Sequence, residues 1–287
     1  MNKLNGFLYG ILSSASFGLI PLFAKPAMQH GMNFMPILLY RFTFATLALA
    51  IVLAIRGVSF KLTKKDYPPL ILLSILYLIS SVFLLWGYKF MASGIATTIH
   101  FMYPVITTVI MMCFFHEKKS IPRIIAIAMA VCGVFFLSKT DDETPITLLG
   151  IIIVLISAVG YALYLVTVGQ VKNDNLKGLR LTFYVFLFGT LMLFTGMGTT
   201  GNIEGIPDWT TAVNLVLLAI IPTVVSNLAL IEAIKNIGST LTSVLGAMEP
   251  VTAVIVGILV FGEGFTFSVG LGIFLIISAV MVIILKQ

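Results

Sequence analysis

The sequence predicts an all-α integral membrane protein with ten transmembrane helices, built as two inverted five-helix repeats with both termini in the cytoplasm. Three observations lead there: a mean hydropathy of +1.11 with 10% charged residues, a one-sided distribution of Lys and Arg, and a self-match at a fixed offset. A globular domain in water carries roughly 25% charged residues. With so few, this chain cannot cover a surface facing water, so its main solvent is lipid. The net charge of +6 does not indicate a nucleic-acid partner, because the basic residues sit at the ends of apolar runs, as membrane flanks do.

Hydropathy and helix breakers divide the chain into spans 5–24, 34–55, 68–87, 92–114, 122–138, 147–169, 179–198, 210–231, 239–261 and 266–285, each close to the ~20 residues that cross hydrocarbon. The first follows Lys3 but runs into Pro21, Lys25 and Pro26 without a small-x-small cleavage site, so it reads as a retained span rather than a secretion signal. The second carries Arg41 near its outer third, where a long side chain can snorkel to the interface. The third carries Tyr77 and, near its outer end, Trp86, which suits an aromatic belt. The fourth has Thr97, His100, Tyr103, Pro104, Thr107 and Met111 along one face, and the sixth has Tyr161 and Tyr164. The eighth carries Asn227 and Glu232 toward its inner end. The ninth presents Ser243, Gly246, Glu249, Pro250, Ala253 and Gly257 along one face. Spans five, seven and ten are generic apolar helices. Cys113 and Cys132 lie in apolar segments without metal spacing and read as buried thiols.

Thirteen of the seventeen Lys and Arg residues fall on one side when the N-terminus is placed in the cytoplasm, three fall on the other, and Arg41 lies within a span. The acidic stretch "TDDETP" falls outside. This asymmetry predicts an even number of spans with both ends inside. A shift of 146 residues aligns Lys89 with Lys235, Ser93 with Ser239, Met102 with Met248, Pro104 with Pro250, Val105 with Val251 and Glu117 with Glu263. Five spans per repeat is odd, so the second repeat (145–287) enters upside down relative to the first (1–140). Secondary transporters are often built this way, with the solute site near the midplane between the halves.

Glu249 is the residue that most needs explaining. An acid at a helix centre costs roughly 2.5–3.5 kcal/mol on insertion scales, and the adjacent Pro250 cannot bond the carbonyl of Gly246. The expectation is a kink with a free carbonyl beside the carboxyl, a polar notch at mid-membrane. Three readings remain open: a neutral structural acid, a solute contact in a water-filled cavity, or a proton carrier. The candidate solute-binding set is Glu249, His100, Tyr103, Tyr161, Asn227 and Tyr77. Pro104, Pro250, Glu117 and Glu263 form the candidate kink and gating set.

No catalytic or metal constellation accompanies them. HExxH and GxSxG are absent, so neither an enzyme nor a cofactor is expected. The expected partners are a small-molecule solute and the lipid bilayer. Proton coupling is compatible with Glu249. Nothing sets the oligomeric state, and a monomer is compatible.

Two segments carry a family resemblance: "YKFMASGIATTIHFMYPVITTVIMMCFFHEKK" and "IKNIGSTLTSVLGAMEPVTAVIVGILVFGEG". Each has a small-residue stretch, then Pro, a long apolar run and Glu. In this the chain resembles the drug/metabolite transporter superfamily, specifically the EamA-like ten-helix transporters, across essentially its whole length. The resemblance implies export or exchange of small metabolites by alternating access through a central cavity, in a bacterial or archaeal plasma membrane. Amino acids or related neutral or zwitterionic solutes are the favoured cargo. Proton-coupled efflux of cationic drugs is the alternative within transporters, and an intramembrane enzyme is the alternative outside them.

Overall fold

The computed structural model describes residues 3–114, 121–137, 147–171, 176, 178–200 and 203–285, and among these the regular structure is helical throughout. Among the described residues, seven helical stretches are long and apolar enough to cross a membrane: Lys3–Gln29, Phe34–Ile55, Tyr67–Gly87, Ser93–Phe114, Leu148–Val168, Leu179–Thr199 and Trp209–Ile234. Three shorter apolar helices, Ile124–Leu137, Met248–Phe261 and Phe267–Val282, accompany them. Large apolar side chains such as Ile51, Ile55, Phe114, Leu259 and Phe274 point outward, the arrangement expected where the outer solvent is lipid. Cys113 and Cys132 are also exposed, which corrects the expectation of buried thiols. An apolar segment of a membrane protein has an outer face as apolar as its core, so hydropathy does not say which way a thiol points.

Several spans are interrupted. The first is α1 (Lys3–Gly18) followed by α2 (Ile20–Gln29), with Pro21 in the opening turn of α2. The second and third are α3 (Phe34–Ile55) and α4 (Tyr67–Gly87). The fourth divides into α5 (Ser93–His100) and α6 (Tyr103–Phe114). Next come α7 (Ile121–Leu137), α8 (Leu148–Gln170), α9 (Leu179–Thr200) and α10 (Trp209–Ala219). A π-helical turn, Ile220–Val225, joins α10 to α11 (Ser226–Leu245), and the chain ends with α12 (Met248–Phe261) and α13 (Phe267–Leu285).

Helical structure runs from Ser226 through the predicted boundary to Leu245, and a further break falls at Gly246 and Ala247. The reversal of chain direction falls between Ile237 and Leu245, next to the boundary that hydropathy gives. The packing of α1 records how the chain doubles back. Gly6 lies against Asn236 and Ile237, Gly10 against Leu245, and Gly18 against the backbone of Glu249 and Ala253, while Ser13 bonds Ser226. The chain therefore runs antiparallel to α1 from Ser226 to Ile237 and parallel to it from Leu245 onward. Side chains on those three glycines would collide with these neighbours. Small residues in a membrane helix allow such close approach.

The pairings have a pattern. α3 packs on α9, α7 on α13, α5 on α12, α4 on α8, and α1 on α11. The set of pairings is symmetric when the helices of residues 3–137 are exchanged in order with those of residues 148–285. The α7–α13 crossing is backbone on backbone: a methyl on Gly133 would sit 2.9 Å from the carbonyl oxygen of Gly272. At one end of the bundle His30 Nδ1 meets Asp208 Oδ2 at 2.9 Å and the Tyr40 hydroxyl donates to the Glu204 carbonyl at 2.9 Å. At the opposite end of α3, Arg180 and Tyr184 donate to the carbonyls of Lys61 and Phe60. The turn at 30–33 and Asp208 thus share one end of the bundle, and Phe60 and Lys61 share the other with Arg180.

Candidate functional site

The two interrupted helices meet a common cavity. α5 ends at His100, two residues turn, and α6 begins Tyr103–Pro104; α11 ends, two residues turn, and α12 begins Met248–Glu249–Pro250. Each proline lies in the first turn of its half-helix, where the missing N–H would have no partner in any case. The sequence-based expectation of a free Gly246 carbonyl fails here, because Glu249 N–H donates to it at 3.0 Å. The break tightens into a short-range turn instead of opening a kink around Pro250. Glu249 itself stands in the first turn of α12.

The cavity has a volume of about 360 Å³ and is lined by residues from both halves of the chain. Glu249, His100, Tyr103, Tyr161 and Tyr77 all line it, as does Pro104. Five of the six candidate binding residues therefore converge. Asn227 does not. Its amide donates at 2.6 Å to the Thr223 carbonyl of its own helical stretch, so it braces the π-helical turn rather than facing a solute. Pro250 is buried beside Glu249 but off the cavity wall. Glu263 lies away from the cavity, and Glu117 falls outside the described residues.

His100 is held by a short relay. Its Nδ1 is 2.9 Å from Ser157 Oγ, and Ser157 Oγ donates to the Ser80 carbonyl at 2.6 Å. The serine has one hydroxyl proton and spends it on Ser80, so the histidine must donate from Nδ1. The relay ties α5 to α8 and α4. Around it the rings of Tyr77, Tyr103, Tyr161 and Tyr164 form a continuous wall. Tyr103 and Tyr161 meet edge to face at 4.7 Å, Tyr77 and Tyr164 at 5.2 Å, and Tyr161 stacks on Tyr164 at 5.7 Å. Such pairs contribute roughly 0.5–1.5 kcal/mol each beyond area burial.

Arg41 departs from expectation most. It does not snorkel; it is 2% exposed and lines the same cavity as Glu249. Its Nε donates to Thr223 Oγ1 at 2.9 Å, and Thr223 in turn donates to the Leu218 carbonyl at 3.0 Å. Thr223 lies in the π-helical turn, a distortion often found at functional sites. Among the described residues neither Arg41 nor Glu249 forms an ion pair. The hydroxyl-bearing residues Ser13, Ser14, Ser80, Ser81, Thr107 and Thr108 complete a polar lining that hydropathy alone does not single out. The available signal was Arg41 itself, a charge within a span.

A second polar cluster closes one end of the bundle. Gly262 adopts a left-handed conformation (φ 64°) that ends α12 and turns Glu263 inward. Glu263 accepts from Lys25 Nζ at 2.7 Å, Ser93 N at 2.7 Å, Ser93 Oγ at 2.6 Å and Gly94 N at 3.1 Å. Burial alone would raise its pKa, but the Lys25 ammonium and these donors outweigh it and hold the carboxyl below its usual value. The carboxylate caps α5 from the other half of the chain. Among the described residues no three His, Cys, Asp or Glu side chains group in a way that could hold a metal ion.

A family model matches the chain twice, over residues 4–139 and 148–285: the EamA-like transporter family. An uncharacterized transporter, YetK, of Bacillus subtilis (strain 168) is 25% identical over 261 residues, covering 86% of this chain and 77% of that protein. An uncharacterized transporter of Archaeoglobus fulgidus is 22% identical over 268 residues, covering 92% of this chain and 94% of its own. A solved structure described only as a crystal structure of protein superposes with a TM-score of 0.70 at 13% identity, covering 98% of this chain and 96% of that one, which shows the fold alone. With both halves matched, the chain belongs to the EamA-like transporter family.

Proposed function

We propose that the protein is a secondary transporter that exports or exchanges small neutral or zwitterionic metabolites, such as amino acids, by alternating access through the central cavity. One observation carries the reading: Glu249, 8% exposed and without an ion-pair partner among the described residues, lines a cavity to which both halves contribute. A buried carboxylate left unpaired is costly, and contact with solute offsets that cost. In this reading ten spans form two inverted five-helix repeats, 1–140 and 145–287, with both termini in the cytoplasm of a bacterial or archaeal cell. The self-consistent helix pairing and the meeting of the start of α5 with the end of α12 support it. Pro104 and Pro250 mark the breaks about which half-helices tilt, and Glu263 latches one end. Arg41 on the cavity wall disfavours a purely cationic drug as cargo, since like charges repel.

The test is counter-flow in proteoliposomes across a solute panel. Saturable, trans-stimulated uptake of a small metabolite is expected; turnover without net movement, or non-saturable flux, would remove the reading. Topology has its own check. A cysteine placed at Lys64 should label only from the cytoplasm and one at Asp208 only from outside.

A further inference from the structure

We propose that Arg41 is the anion-recognising group of the cavity, and that the solute is a small zwitterion whose carboxylate it binds while the ammonium faces Glu249. The proposal rests on reading the cavity as the solute site, and it adds the residues and the charge pattern of the cargo.

The guanidinium has five N–H donors. Only Nε is engaged by the protein among the described residues, by Thr223 Oγ1. That bond fixes the plane of the group and leaves the paired terminal nitrogens as a fork, the geometry that matches a carboxylate through two parallel bonds. Burying a cation without a counter-charge is expensive, yet Arg41 is nearly inaccessible from outside and no acid pairs with it among the described residues. The acid on the same wall, Glu249, is held on α12 and is likewise unpaired. Arg41 and Glu249 line the same cavity without closing an ion pair. A solute with one charge of each sign, sized for about 360 Å³, satisfies both at once and leaves the loaded cavity with no added net charge. A free amine would leave Arg41 unmet and repelled, and a free carboxylic acid would leave Glu249 so. A plain structural role, Arg41 pinning Thr223, uses one donor and does not account for a full charge at the cavity wall.

The experiment compares thermal stabilisation of the purified full-length protein by L-amino acids, their methyl esters and their N-acetyl derivatives. Esterification removes the carboxylate charge and acetylation removes the ammonium. The free amino acids that fit should raise the unfolding temperature, with both derivatives weaker by about 10-fold or more in affinity, the range for hydrogen bonds to charged groups. In Arg41→Gln the preference for acid over ester should vanish, and in Glu249→Gln the preference for the free amine over the N-acetyl form. If Arg41→Gln fails to fold, Arg41→Lys and the wild-type ester comparison decide. An ester that binds wild type as well as its acid, or the absence of stabilisation by every amino acid, overturns the proposal. Counter-flow of some other solute in that case retains the transporter reading, whereas absence of any counter-flow removes both.

Discussion

The central cavity and the Glu263 latch treat buried charge in opposite ways. At the latch, one carboxylate meets four donors from two other elements, and its cation is 2.7 Å away. In the cavity, Arg41 and Glu249 share a wall and form no ion pair with each other or with any other described residue. A satisfied charge network holds helices together, while a charge left unpaired is available to something else. In the proposed reading, this difference separates a structural polar cluster from the solute site.

The largest expected effect is at the latch. Glu263→Ala strands the Lys25 ammonium and the α5 N-terminus together and should lower unfolding stability by about 3 kcal/mol, read by thermal or denaturant unfolding in detergent; Glu263→Gln should lose about half as much. Because the folded pKa is depressed, the contribution of wild-type Glu263 is fully present above its ordinary value of 4.5 and is lost as pH falls through the folded value below that. An acid limb that is unchanged in Glu263→Gln would show that the latch is not a charge network.

Glu249→Gln sharpens the comparison from the other side. It should fold with stability within about 1 kcal/mol of wild type, since no protein partner is lost, while solute affinity falls about 10–100-fold. Wild-type affinity and transport in this variant, from acidic to neutral pH, would assign the carboxyl to packing.

Smaller effects follow. Ser157→Ala removes the acceptor that orients His100 and the donor to Ser80, and should cost about 1–2 kcal/mol with little change in solute charge preference. The smallest is Asp208→Asn. Asp208 caps α10 through Thr211 N–H at 2.8 Å, and that hydrogen bond, with help from His30, depresses its pKa to about 2. Asn caps equally well, so the neutral-pH midpoint should stay put. Wild type alone should show the added loss of stability as pH falls from 3.8 toward 2.

The readings that sequence supported were those set by local chemistry. Prolines at 104 and 250 fall in the opening turns of half-helices because a residue without an N–H suits that position in any fold. Glu249 and His100 stood out because a polar group in an apolar run carries a cost wherever it packs. Arg41 was misjudged because snorkelling and burial look alike along one helix; the choice depends on whether a neighbour such as Thr223, 182 residues away, is present to receive it. Asn227 erred the other way, since its bond lies within its own helical stretch.

What the sequence by itself determined is the membrane-embedded helical class and the list of polar residues needing partners, because hydropathy acts over a few residues. Tertiary structure alone decided which polar residues share a cavity and which cancel in a latch. Glu263 finds Ser93 across 170 residues, and Arg41 reaches the wall that holds Glu249. Those meetings depend on how helices cross, and crossings are set by side-chain packing between elements that no local pattern encodes.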